Sequence, residues 1–408
     1  MKRIVLLLLV LFGFSFLYGQ NINDNKVSFT YIQLPYKVVD ENIDNYELNL
    51  DHAYLAANQD SLELHKIRKA SRMATFEQLM TSYQAKKDSM YRIHLRALSI
   101  WEKAVNAGEK DSDGSELTKP AAPEYPNPPV FPSADLPLLH TDYNDSNLNQ
   151  RASVEGFQKG TGGILVTISM LPIQYFPVEE STRGSGSSKV YTYSAPYILP
   201  FRVKVETPTQ GVLLDDLVLD QKQYYGMKEQ KSKYDHELYM MDNKAVLHKT
   251  IEANAREKGI KSVNNYINDQ IGYPEKSRTI EIYSVKRHRD WDYLDVTNAY
   301  TKTTLALQSL NQDRDRSGAE SYIDEAIAAY DKILSESNLS DRKARINDKI
   351  TAMLQCNMTE LLNWKANFNK ALTTANIAEN SGEGKARRHI RREKGFYADQ
   401  RRRWESVF

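Results

Sequence analysis

Gly163-Ile-Leu-Val-Thr-Ile-Ser-Met-Leu171 is rich in β-branched residues, alternates along its length and reads as a strand. The same texture occurs at 26–34, 46–50, 189–193, 197–205, 212–219 and 279–285. None of it appears after Asp295. From there the periodicity predicts helices over 296–310, 318–335, 340–363, 368–379 and 385–404. A β-rich N-terminal part followed by an all-helical C-terminal part predicts an α+β chain.

The β texture is interrupted by one long insert. Residues 61–106 form a polar helical stretch in which Met73, Met80, Lys87, His94 and Trp101 recur every seven residues. Phe76, Tyr83, Met90, Ala97 and Ala104 recur three residues further on, giving a heptad seam of the coiled-coil kind, imperfect at Lys87 and His94. Such a helix spans about 69 Å. Seven of the chain's 14 prolines follow between Lys119 and Pro137. A proline tract extends at about 3.1 Å per residue and covers roughly 59 Å. The matching lengths suit an arm, in which a helix runs out and the tract returns along its seam with Tyr125, Val130 and Phe131 packing on it; the equal alternative is a helix followed by a flexible linker. The reading therefore divides the chain into a leader (1–19), a β-rich domain (20–57 and 151–226) and the inserted arm (58–150). A connecting region (227–290) and a helical domain (291–408) follow. In the connecting region Gly259 is expected to break a helix over 227–268. The Gly/Ser run at 183–188 reads as a hairpin loop.

The leader sets the compartment. Lys2 and Arg3 precede an apolar run from Ile4 to Phe12, and Leu17-Tyr18-Gly19 leads to Gln20. This is the pattern of a secretory signal peptide, too short for a membrane span. The expectation is an exported protein, periplasmic, outer-membrane-associated or secreted. Cys356 is the single cysteine, so no internal disulfide forms and no lipid anchor is placed near the cleavage zone. Its helical apolar context predicts a core thiol. With 54 basic and 53 acidic residues, no global field points to nucleic acid.

In the last third, Tyr322-Ile-Asp-Glu-Ala326-Ile-Ala-Ala-Tyr330-Asp-Lys-Ile-Leu334 and Asn363-Trp364-Lys-Ala-Asn-Phe368-Asn-Lys-Ala371-Leu372 resemble helices of the tetratricopeptide repeat family. Their spacing departs from the family period, and Ala366-Asn367 stands where a turn glycine is usual. The resemblance implies stacked helix pairs that hold a protein partner, and no catalysis. The final helix carries nine Lys/Arg against three Asp/Glu between Lys385 and Phe408. It reads either as a solvated capping helix or as a docking surface for an acidic partner. Tyr300, Trp364, Arg387, Arg391, Arg402 and Trp404 are the candidate partner-binding residues.

Catalytic signatures are thin. The sequence has no Gly-x-Ser-x-Gly, no His-Glu-x-x-His and no phosphate loop, and its eight histidines lack metal-ligand spacing. No cofactor is expected. Asp215-Asp216 reads as a turn. The functional expectation is a non-catalytic scaffold or adaptor in a bacterial cell-envelope assembly. A first alternative is a glycan- or peptidoglycan-binding module using Tyr191, Tyr193 and Tyr197, which alternation places on one face. A second is a hydrolase with a site near His288, Asp290 and Asp292.

Overall fold

The computed structural model describes residues 21–131, 137, 139–141, 143, 146 and 150–408. The expected leader lies outside the described residues, as do Pro132 and positions 133–136 of the proline tract. The chain is α+β, with a β-rich N-terminal region and C-terminal helices. Among the described residues no helix is long and apolar enough to cross a membrane.

Two main cores form. The first is built on a five-stranded sheet. Its strands are β2 (Asn45–Asp51), β3 (Gln158–Lys159), β4 (Ile164–Met170), β8 (Phe201–Thr207) and β9 (Gly211–Val218), in the order β3-β2-β4-β8-β9. Alternation puts Ile164, Val166, Ile168 and Met170 of β4 and Phe201, Val203 and Val205 of β8 on one fully buried face. That face packs on Leu247, Ile251, Ala255, Ile260, Val263 and Ile267 of a helix, α2 (Lys233–Gln270). The helix runs unbroken through Gly259. A Cβ there would lie 2.4 Å from Cε2 of Phe201, so the glycine provides a close approach to the sheet and not the expected break. Asp215 and Asp216 lie within β9 and not in a turn. Asp215 pairs with Arg202 across the ladder, and Asp216 accepts from the Tyr266 hydroxyl. A smaller sheet, β10-β7-β5 with β6 on β7, adjoins this core. It comprises β5 (Gln174–Tyr175), β6 (Glu179–Arg183), β7 (Val190–Ile198) and β10 (Gln223–Gly226). The 183–188 run connects β6 and β7 as the hairpin loop its composition predicts.

The second core belongs to the C-terminal helices. These are α3 (Leu294–Gln308), α4 (Ser317–Leu334), α5 (Asp348–Trp364), α6 (Phe368–Asn380) and α7 (Gly384–Val407). Strand β1 (Ile22–Ile32) does not join the β sheet that holds β2. It pairs antiparallel over eleven residues with β11 (Glu275–Val285), from Ile22 opposite Val285 to Ile32 opposite Glu275. Val27, Phe29 and Tyr31 of this ribbon are buried among the helices. Segment 20–57 is thus divided between the two cores, because local alternation specifies a strand but not its partner. The free edge of β11 is satisfied by a side chain. Asn357 of α5 accepts from Tyr283 N (2.9 Å) and donates to Tyr283 O (2.8 Å), so a buried backbone pair finds partners without a third strand.

The insert is an arm. Helix α1 (Tyr54–Asn106) has 53 residues and extends for about 80 Å. The chain returns antiparallel along it. Trp101 Nε1 donates to Leu117 O (2.9 Å), Lys87 Nζ lies 5.5 Å from the Tyr125 ring, and Phe76 meets Phe131 edge to face. Every seam residue from Phe76 to Ala104 is half-buried, whereas Met73 is exposed. The seam therefore holds an extended chain and not a second helix. Its two polar positions, Lys87 and His94, lie beneath that chain too. Val130, expected to pack, is 88% exposed.

Candidate functional site

The arm is anchored at its root. Tyr54 is buried, its hydroxyl accepts from Tyr143 N (3.0 Å), and the Arg256 guanidinium covers its ring at 3.9 Å. Asn58 exchanges two hydrogen bonds with the His140 backbone, and His140 Nδ1 lies 3.1 Å from Glu252. Glu252 and Arg256, both almost fully buried, form an ion pair along α2. Burial alone would raise the Glu252 carboxyl. His140, Arg256 and the Thr141 N–H outweigh it and hold the group below its ordinary value.

Beyond the root, the arm carries apolar residues that its return segment leaves uncovered. Leu79, Ile93 and Ile100 stand at multiples of seven, flanking the seam, and are 53%, 66% and 63% exposed. With Lys86 at the intervening position, they form a second, interrupted apolar stripe on a solvated helix.

The C-terminal helices offer another surface. A cleft of about 170 Å³ lies between α6 and α7, floored by Leu372, Ala375, Ile390 and Tyr397 and edged by Glu379, Lys394 and Arg401. The predicted partner residues do not converge on it. Trp364 is buried, its ring 5.0 Å from Tyr31 and its Nε1 donating to Glu360 (2.8 Å). Tyr300 is partly buried against the same core. Arg387 donates to the Glu379 and Ser381 carbonyls and Arg391 pairs with Glu379 (2.9 Å), so both tie α7 to the end of α6. Arg402 is exposed beside Asp399, and Trp404 is half-buried against Phe408.

Beneath that surface runs a buried ionic network that the sequence reading missed. Arg278 of β11 bridges Glu360 of α5 and Glu393 of α7, each at 3.1 Å, and Tyr397 donates to Glu360 (2.8 Å). Arg403 joins the cores, donating to Leu34 O (2.9 Å) and pairing with Asp269 (2.6 Å) at the end of α2. Charges spaced along separate elements give no local sign of such pairing. Cys356 is buried, as its context predicts, and burial pushes its thiol up.

The tyrosine face is not a platform. Tyr193 is buried and stacked on His236 (centroids 3.6 Å apart), and Tyr197 is buried with its hydroxyl on Gln223 (3.1 Å). Tyr191 lies between the ammonium groups of Lys189 and Lys233. Near His288 the side chains are engaged locally. His288 Nδ1 accepts from Asp290 N (3.2 Å), Asp290 pairs with Arg289, and Asp292 accepts from Leu294 N (3.0 Å) at the start of α3. Among the described residues no group of three or more His, Cys, Asp or Glu is arranged to hold a metal ion.

No protein-family model, no curated protein and no solved structure matches the chain.

Proposed function

We propose that the protein is an exported, non-catalytic scaffold of a bacterial cell-envelope assembly, which it joins through its arm. The observation that carries this reading is the exposed stripe Leu79, Ile93 and Ile100 on a helix whose other apolar seam is already filled by its own chain. A solvated helix gains nothing alone from a second apolar stripe, whereas a partner helix laid along it buries the stripe. The leader pattern at 1–19 supports export. The helix pairs α3/α4 and α5/α6, which carry the tetratricopeptide-like residues, support a second protein contact at the C-terminal end. The glycan-binding alternative loses its support with Tyr193 and Tyr197 buried.

The test is the native size of the protein in extracts of its own envelope. Wild type should migrate in a complex well above the mass of a single chain, and the triple variant Leu79→Lys, Ile93→Lys, Ile100→Lys should leave that complex while remaining folded. A wild-type protein found only as a free monomer would sink the reading.

A further inference from the structure

Among the described residues, one buried cation has no ion-pair partner. Arg256, Arg278 and Arg403 are each almost fully or largely buried and each pairs with a carboxylate. Arg316, 4% exposed, has none within ion-pair distance among the described residues. Its guanidinium lies between two indoles, 4.8 Å from the Trp364 ring and 4.7 Å from the Trp404 ring. Nη1 donates to Trp364 O (3.2 Å) and Nη2 to Gln400 Oε1 (2.9 Å), while Nε is buried with no partner. Two neutral acceptors and two ring faces stabilise the charge without pairing it with an anion. Burial pulls its pKa down to about 10, so it remains charged at neutral pH. The chain also holds Arg316 at a φ of 64°, where a side chain is disfavoured. Strain and an unpaired charge coincide at one residue, as they do at binding sites.

Arg316 lines a cavity of about 200 Å³ with Ile323, Trp364, Trp404, Glu320 and Lys365. Two other charged groups there are already engaged: Asp315 accepts from Ser317 N (3.0 Å), and Lys365 pairs with Asp324. The cavity is smaller than the roughly 300–1,000 Å³ of sites that enclose a whole drug-sized ligand, so it suits the end of a molecule. We infer that this cavity is a binding site for a terminal carboxylate, that of a peptide C-terminus, with Arg316 as its anion partner. The carboxylate supplies the missing counter-charge. A small apolar side chain lies against the indoles and Ile323, and the preceding amide N–H faces the Glu320 carboxylate. The site stands apart from the arm, and its failure would leave the scaffold reading untouched.

The chain has four tryptophans, so fluorotryptophan labelling gives four resolvable fluorine NMR signals. The probes are N-acetylalanine and its uncharged amide, titrated at millimolar concentration into the full chain. The acid should shift the Trp364 and Trp404 signals and leave Trp101 and Trp291 in place, and the amide should do neither. Arg316→Gln should weaken the acid at least tenfold without lowering the melting temperature of the free protein. Equal responses to acid and amide, or no response to the acid, would overturn the site on the wild-type protein alone, whatever the variant does.

Discussion

Phe76 and Phe131 meet edge to face, with ring centroids 5.2 Å apart and planes at 81°. One ring belongs to the outgoing helix of the arm and the other to its returning chain, so this pair reports directly on whether the arm is closed. Together with the Lys87–Tyr125 and Trp101–Leu117 contacts, it makes a proline-rich segment part of the structure. Phe131→Ala should open the return segment. Limited proteolysis should find positions 117–131 protected in wild type and cut rapidly in the variant. A double-mutant cycle with Phe76→Ala should give a coupling of about 1 kcal/mol. Rapid cleavage of wild type within 119–131 would contradict the closed arm.

The root of the arm depends on a buried pair. Glu252→Gln leaves Arg256 charged and enclosed, and breaking one partner of such a pair costs about 3–5 kcal/mol. Urea unfolding should show a lower midpoint for the transition of the β core. An unchanged midpoint would mean that Glu252 does not hold the root.

At Gly259 two effects oppose each other. Alanine in a helix interior is favoured over glycine by about 1 kcal/mol. The added methyl would, however, stand 2.4 Å from the fully buried Phe201 ring, and overpacking of that kind costs about 1–3 kcal/mol. Gly259→Ala should therefore lower the melting temperature, whereas Gly395→Ala, with open space at its Cβ, should raise it slightly.

Acid should loosen the fold before the carboxylates titrate. Burial lowers the pKa of His236, His248 and His389 below the unfolded value of 6.5. For His389, Glu360 and Glu393 pull the other way without reversing the shift. A depressed folded pKa means that the unfolded chain binds more protons below 6.5. The stability these groups lend is present above that pH and drains as pH falls towards their folded values. Melting temperature should thus decline between pH 7 and 5, and His389→Gln should flatten part of that decline. A flat profile across this window would contradict the desolvation of the three rings.

The sequence carried the elements better than their partners. Helices α3, α4, α6 and α7 start and stop within a few residues of where their periodicity places them, because each shows its apolar face locally. Helix α5 starts later than its periodicity places it, since the chain before the Asn347 cap is polar turn rather than helix; Asn347 accepts from Ile350 N. The pairing of β1 with β11 could not be read, since alternation is satisfied by any partner strand. The exposure of aromatic residues is hidden from the sequence for the same reason. Trp364 and Tyr193 look like surface rings beside polar neighbours, and only the packing of distant elements buries them. Arg316 gives no local sign at all, because only the packing of Trp364 and Trp404 around it encloses its charge.

The outward stripe of the arm should meet another protein. A photo-crosslinking amino acid placed at Ile93 or Ile100, in cells that carry the protein in its own envelope, tests it most directly. A discrete higher-mass adduct should form from both positions and none from Ser99, which lies on a different face of the same helix. Equal adducts from Ser99, or no adduct from Ile93 and Ile100, would contradict it.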